Sequence, residues 1–161
     1  GATPSWAAPP AGGSDPWTYV VLAAAFTTTS ATAQNVTGLV VTPSANGQYE
    51  IFGMFYLRTA SSATVPRVGN SWPTGLNQGG SQYTVAAASA TQLVGYANTS
   101  ASNLTPVGAF ASTASWPAKV DAGMVAGASP SGNFQILLAS EANGTQVTMQ
   151  IGSFIKYRSY T

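Results

Sequence analysis

The sequence contains no cysteine and no histidine. Without cysteine there can be no disulfide framework, thiolate nucleophile or cysteine-ligated zinc. Without histidine there is no Ser-His-Asp triad, Cys-His dyad or HExxH zinc site, and the commonest general base is missing. Charge is scarce too. Only 6% of the 161 residues are charged, against about 25% in typical soluble domains. The basic residues Arg58, Arg67, Lys119, Lys156 and Arg158 are scattered, and only the last two are close together. Phosphate binding needs clustered Lys and Arg, so no nucleic-acid partner is expected. No run of about 18 apolar residues occurs, so neither a transmembrane helix nor membrane insertion is expected. No signal peptide is visible, and the chain opens on Gly1 without an initiator Met, as a processed protein or a piece of a longer one would.

What is present is apolar residues, at 45%, set among Ser, Thr, Asn, Gln and Gly. That is enough to bury a core. A surface so poor in charge suits an extracellular or particle protein better than a cytosolic one. Residues 1–16, GATPSWAAPPAGGSDP, carry Pro9-Pro10 and Gly12-Gly13, which resist helix and sheet alike. They read as a linker or N-terminal arm, or equally as a tail, and Trp6 could dock it on a neighbouring subunit. Residues 17–161 read as one domain.

Strand patterns follow from Trp17 onward: 17–23, 34–43, 47–60, 82–88, 91–97, 107–111, 119–127, 133–141, 145–152 and 153–160. In 47–60, Tyr49, Ile51, Gly53, Phe55 and Leu57 share one face. Phe52, Met54 and Tyr56 occupy the other, which predicts cover on both sides, by a second sheet or by an oligomer interface. Residues 66–81, PRVGNSWPTGLNQGGS, read as a long loop. Asn143-Gly144 is a hairpin turn signal. No stretch keeps helical periodicity. The spacing predicts an all-β, jelly-roll-like antiparallel β-sandwich of about eight to ten strands.

Chemistry is thin. The acids Asp15, Glu50, Asp121 and Glu141 are far apart in sequence. A glycosidase needs two carboxylates flanking one bond. Glu50 and Asp121 could form such a pair in space, or each could simply be a partner for Arg58 or Lys119. No calcium-loop spacing, phosphate-binding loop or nucleophile elbow occurs, so no catalytic residue, metal or cofactor is expected. Trp72 and Trp116 each precede proline in a predicted loop. With Asn77 and Gln78 they are candidate contacts for a glycan or receptor, although each Trp could instead cap the core. Trp17 opens a strand and reads as core. The sequons at Asn35, Asn98, Asn103 and Asn143 are readily produced by chance in so Ser- and Thr-rich a chain.

The segment NVTGLVVTPSANGQYEIFGMFYLRTAS (35–61), the W-P-x-G piece at Trp72 to Gly75 and the ending GTQVTMQIGSFIKYRSY (144–160) resemble tail-fibre and spike proteins of tailed phages, and related prophage and gene-transfer-agent proteins. The resemblance covers most of residues 17–161 and its motifs are structural. It implies a non-enzymatic particle-surface protein, often a homotrimer, that attaches to a bacterial surface polysaccharide or supports a protein that does. Phe52, Met54 and Tyr56 would then lie in the oligomer interface, and the arm would reach other virion proteins. A capsid decoration protein and a monomeric carbohydrate-binding module of a secreted enzyme are the alternatives.

Overall fold

The computed structural model describes residues 16–61, 64–85, 93–98, 103–106 and 114–160. Nearly all of the expected arm and the strand expected at 107–111 lie outside them.

Among the described residues the fold is all-β. Its strands are β1 (Thr18–Val21), β2 (Phe26–Thr28), β3 (Gln34–Val41), β4 (Gln48–Thr59), β5 (Pro66–Ser71), β6 (Thr74–Val85), β7 (Leu93–Asn98), β8 (Asn103–Pro106), β9 (Trp116–Ser131), β10 (Phe134–Ser140), β11 (Val147–Met149) and β12 (Phe154–Tyr160). One sheet has four strands, in the order β3-β10-β5-β8. The other has eight. It runs β1-β12-β4-β9-β6-β7, with β11 joined to β4 and β2 to β11. Every pairing is antiparallel.

The connectivity is that of a long hairpin rolled up. β6 pairs with β7, β5 with β8, β4 with β9 and β3 with β10. Successive pairs alternate in sheet membership, with β6/β7 and β4/β9 in the larger sheet and β5/β8 and β3/β10 in the smaller. Sheets β3-β10-β5-β8 and β4-β9-β6-β7 facing each other are a jelly roll, as the sequence implies. The two chain ends add one more pair outside β4. β1 and β2 run against β12 and β11 and share an interruption. At that break Leu22 N donates to Ser153 O at 2.8 Å and Gly152 N to Leu22 O at 3.1 Å. Tyr56 N of β4 donates to Ser153 Oγ at 3.0 Å, so the break stays stitched to the sheet.

Alternation builds the core. In β4 the side chains of Tyr49, Ile51, Phe55 and Leu57 are buried, while Gln48, Glu50, Tyr56 and Arg58 are exposed. They meet Val36, Leu39, Val68, Phe134, Ile136 and Leu138 of the smaller sheet. Burying each large apolar side chain stabilises the fold by about 1.5–3 kcal/mol. Gly53 is required by packing. A Cβ there would stand 2.7 Å from Val120 Cγ1 and 2.8 Å from Phe55 Cζ. One polar knot crosses the core. Asn70 Oδ1 accepts from Ser81 Oγ at 2.7 Å and from Tyr83 OH at 2.8 Å, all three residues being buried. It ties β5 of one sheet to β6 of the other.

The structure corrects the loop expected over 66–81. Pro66–Ser71 and Thr74–Val85 are strands joined by Trp72-Pro73. Glycine and proline were misleading because each has a place in the ladder. Pro66 opens β5, Pro73 sits in the link, and Gly75, with φ of +71°, lies where the β6–β9 register shifts.

Candidate functional site

The outer face of the larger sheet carries a side-chain grid fixed by register. One row is Arg158, Glu50, Gly123 and Gly80, taken from β12, β4, β9 and β6. The row on one side is Tyr160, Gln48, Val125 and Gln78. The row on the other is Lys156, Phe52, Asp121 and Gln82. Gly123 and Gly80 face each other, so the middle row has no side chains over two adjacent strands. The result is a trough.

It consists of two shallow depressions that share Gly123. One, of about 520 Å³, is lined by Gln48, Gln78, Gly79, Gly80 and Tyr160 among others. The second, of about 400 Å³, is lined by Trp17, Glu50, Phe52, Asp121 and Lys156 among others. Nothing in the fold demands glycine at 123. A Cβ there would come no nearer than 3.8 Å to another atom, the Tyr49 carbonyl oxygen. Glycine weakens a strand interior and often marks a place where a ligand approaches the backbone.

The electrostatics centre on Glu50. Its Oε2 accepts from Arg158 Nε at 2.7 Å, Arg158 Nη2 at 2.6 Å and Tyr160 OH at 2.8 Å. The Tyr160 hydroxyl and the Arg158 guanidinium hold its carboxyl below the usual value, while Glu50 in turn raises Tyr160 and Arg158. Among the described residues the donors to Glu50 all use the same oxygen, which leaves Oε1 as an acceptor on an ionised, oriented carboxylate. Lys156 Nζ lies 4.4 Å from the Trp17 ring centroid and 5.4 Å from that of Phe52, and Arg158 Cζ lies 4.9 Å from Trp17. Trp17 is therefore not core, as its position at a strand start suggested. It is a half-buried ring on the outer face, held by cation–π contacts.

The structure brings Glu50 and Asp121 together as diagonal cross-strand neighbours on one face, a relation that puts their Cβ atoms somewhat less than about 7–8 Å apart. Inverting glycosidases use carboxyls at about 6.5–9.5 Å, but one must be held protonated as the acid. Glu50 is pushed the other way, and Asp121 is exposed. The pair is equipped to accept hydrogen bonds. Glu50 pairs with Arg158 of β12, and not with Arg58 or Lys119.

The four residues expected to contact a ligand are not brought together. Gln78 lines the trough. Asn77 is exposed beside it on β6. Trp72 packs edge-on against Phe134, with ring centroids 5.2 Å apart. Trp116 heads β9 opposite Leu57 and packs against the core. The β6 end next to Trp72 pairs with Ser131, at the far end of β9. The 16 residues of β9 have a contour of roughly 50 Å, so one small ligand cannot touch both Trp side chains. Phe52, Met54 and Tyr56 lie on the outer face, partly exposed, beside Phe154, Tyr19 and Val21. Within the described residues no second sheet covers them. Sequence reasoning missed Gly80, Gly123, Tyr160 and the outward role of Trp17. The one legible signal was glycine inside strongly alternating strand patterns.

No family model matches this chain, and no curated protein does. Among solved structures, one titled "Structure of infectious bursal disease virus Gx strain" is similar at 14% sequence identity, with a TM-score of 0.22. The match covers 96% of this chain and 43% of that one, so this chain spans less than half its length. So distant a likeness bears on neither fold nor function.

Proposed function

We propose that this chain is a non-enzymatic surface module of a phage-type particle that holds a bacterial surface polysaccharide in the trough of its larger sheet. The observation that carries the binding reading is the trough itself. Gly123, where the fold leaves room for a side chain, and Gly80 opposite it leave bare backbone among carboxylates, amides and aromatic rings, which is the lining that a hydroxyl-rich ligand calls for. The particle context is supported by the resemblance of 35–61 and 144–160 to phage fibre and spike segments and by the charge-poor surface. The non-enzymatic reading is supported by the lack of histidine and cysteine in the whole chain and by the depressed carboxyl of Glu50.

A homotrimer belongs to the same proposal. Tyr19 at 53%, Val21 at 55% and Tyr56 at 36% exposure continue the apolar surface of Phe52, Met54 and Phe154. That patch favours a second reading, in which the chain is a decoration protein packed through this face.

The test is binding of the labelled protein to host cells and to purified surface polysaccharide, with Gly123→Phe as the variant that fills the trough. Wild type is expected to bind and the variant, folded by circular dichroism, to lose at least tenfold in affinity. Equal binding by both would overturn the site. Solution mass by light scattering tests the trimer, and a monomer at all concentrations would remove it.

A further inference from the structure

Resting on the trough being a polysaccharide site, we infer that its ligand is an uncharged saccharide, read by Glu50 and Asp121 as hydrogen-bond acceptors, and that uronate- or phosphate-bearing polymers are selected against. The argument is the placement of charge around the bare floor. Glu50 stands directly opposite Gly123, and Asp121 is two residues from it on the same strand and face. Two carboxylates thus flank the point where a sugar ring would meet backbone.

The cations nearby are turned to other work. Arg158 is bound to Glu50 Oε2 and stacked on Trp17. Lys156, which lines the second depression, is held over the Trp17 and Phe52 rings. Lys119 lies one row out, opposite Met54 and Thr84, and lines neither depression. An anionic group laid on Gly123 would meet two carboxylates at close range. Sugar hydroxyls would donate to them and accept from the amides of Gln48, Gln78 and Gln82. Because Arg158 and Tyr160 already fix the Glu50 side chain, little rotamer freedom remains to be lost on binding.

The experiment is a binding panel at fixed ionic strength. Uncharged probes are dextran, mannan and galactan oligosaccharides, and uronate probes are oligogalacturonate and alginate. At least one uncharged probe is expected to bind tenfold or more tighter than every uronate probe. Glu50→Gln with Asp121→Asn, both at exposed positions, is expected to abolish that discrimination against uronates. Preference for a uronate, or unchanged discrimination in the neutralised variant, overturns the inference. Gly123→Phe separates the two failures. If it leaves binding intact, the trough reading falls. If it abolishes binding while neutralisation changes nothing, only the present inference falls. Retention of no probe by the wild type overturns both.

Discussion

Replacing Asn70 by Ala should be among the most damaging polar substitutions in this domain, and its cost can be worked from the knot it makes. Asn70 Oδ1 accepts from Ser81 Oγ and Tyr83 OH at 2.7 and 2.8 Å, with Asn70 and Tyr83 fully buried and Ser81 5% exposed. Alanine leaves two buried hydroxyls without their acceptor, and each orphaned group costs about 1–3 kcal/mol. A loss of about 3 kcal/mol is expected, which for a domain of this size lowers Tm by about 6–12 °C. Tyr83→Phe removes one donor and leaves Asn70 still bonded to Ser81, so it should cost only about 1 kcal/mol. The context should then reverse the sign. In wild type, Ser81→Ala plus Tyr83→Phe strands the Asn70 carbonyl and destabilises. In the Asn70→Ala background the same pair removes two orphans and should restore stability. Urea unfolding with a constant m-value is the assay. The reasoning is refuted if Asn70→Ala costs less than about 1 kcal/mol, or if the pair destabilises equally in both backgrounds.

Three further outcomes are expected. Burial pushes the Tyr83 hydroxyl well above its ordinary value of 10.0. Its contribution to stability is therefore complete below pH 10 and is lost as pH rises beyond it, and Tyr83→Phe should flatten that alkaline decline in a pH series of urea midpoints. Glu50 is the opposite case. Its lowered carboxyl stabilises the fold above its unfolded value of 4.5, and that contribution disappears as pH falls through the folded value; Glu50→Gln should remove this acid-side step. Finally, Gly53→Ala should destabilise by about 1–3 kcal/mol through overpacking, whereas Gly123→Ala, whose Cβ would meet only the Tyr49 carbonyl oxygen at 3.8 Å, should be neutral or slightly stabilising while weakening ligand binding. Thermal melts of both variants check this, and a costly Gly123→Ala would make that glycine structural.

The strand at 47–60 was legible because alternation is a local property. Tyr49, Ile51, Phe55 and Leu57 announce one buried face whatever lies opposite. The break shared by β1–β2 and β11–β12 was not legible, because it depends on the two chain ends running side by side. The 66–81 segment misled because glycine and proline were weighed as local breakers, while β9 and β10 supply the pairing that keeps the segment extended.

The sequence by itself determined the fold class. Period-two alternation without helical periodicity dictated sheets closed around one core. That conclusion needs only residue identity and neighbours along the chain. Only the tertiary structure decided where a ligand could sit. Glu50, Asp121, Gly80, Gly123 and Arg158 are distant in sequence, and they share one surface solely because β6, β9, β4 and β12 are hydrogen-bonded in that order and register. Register across strands is set by core packing on the opposite face, which no local pattern on the outer face records.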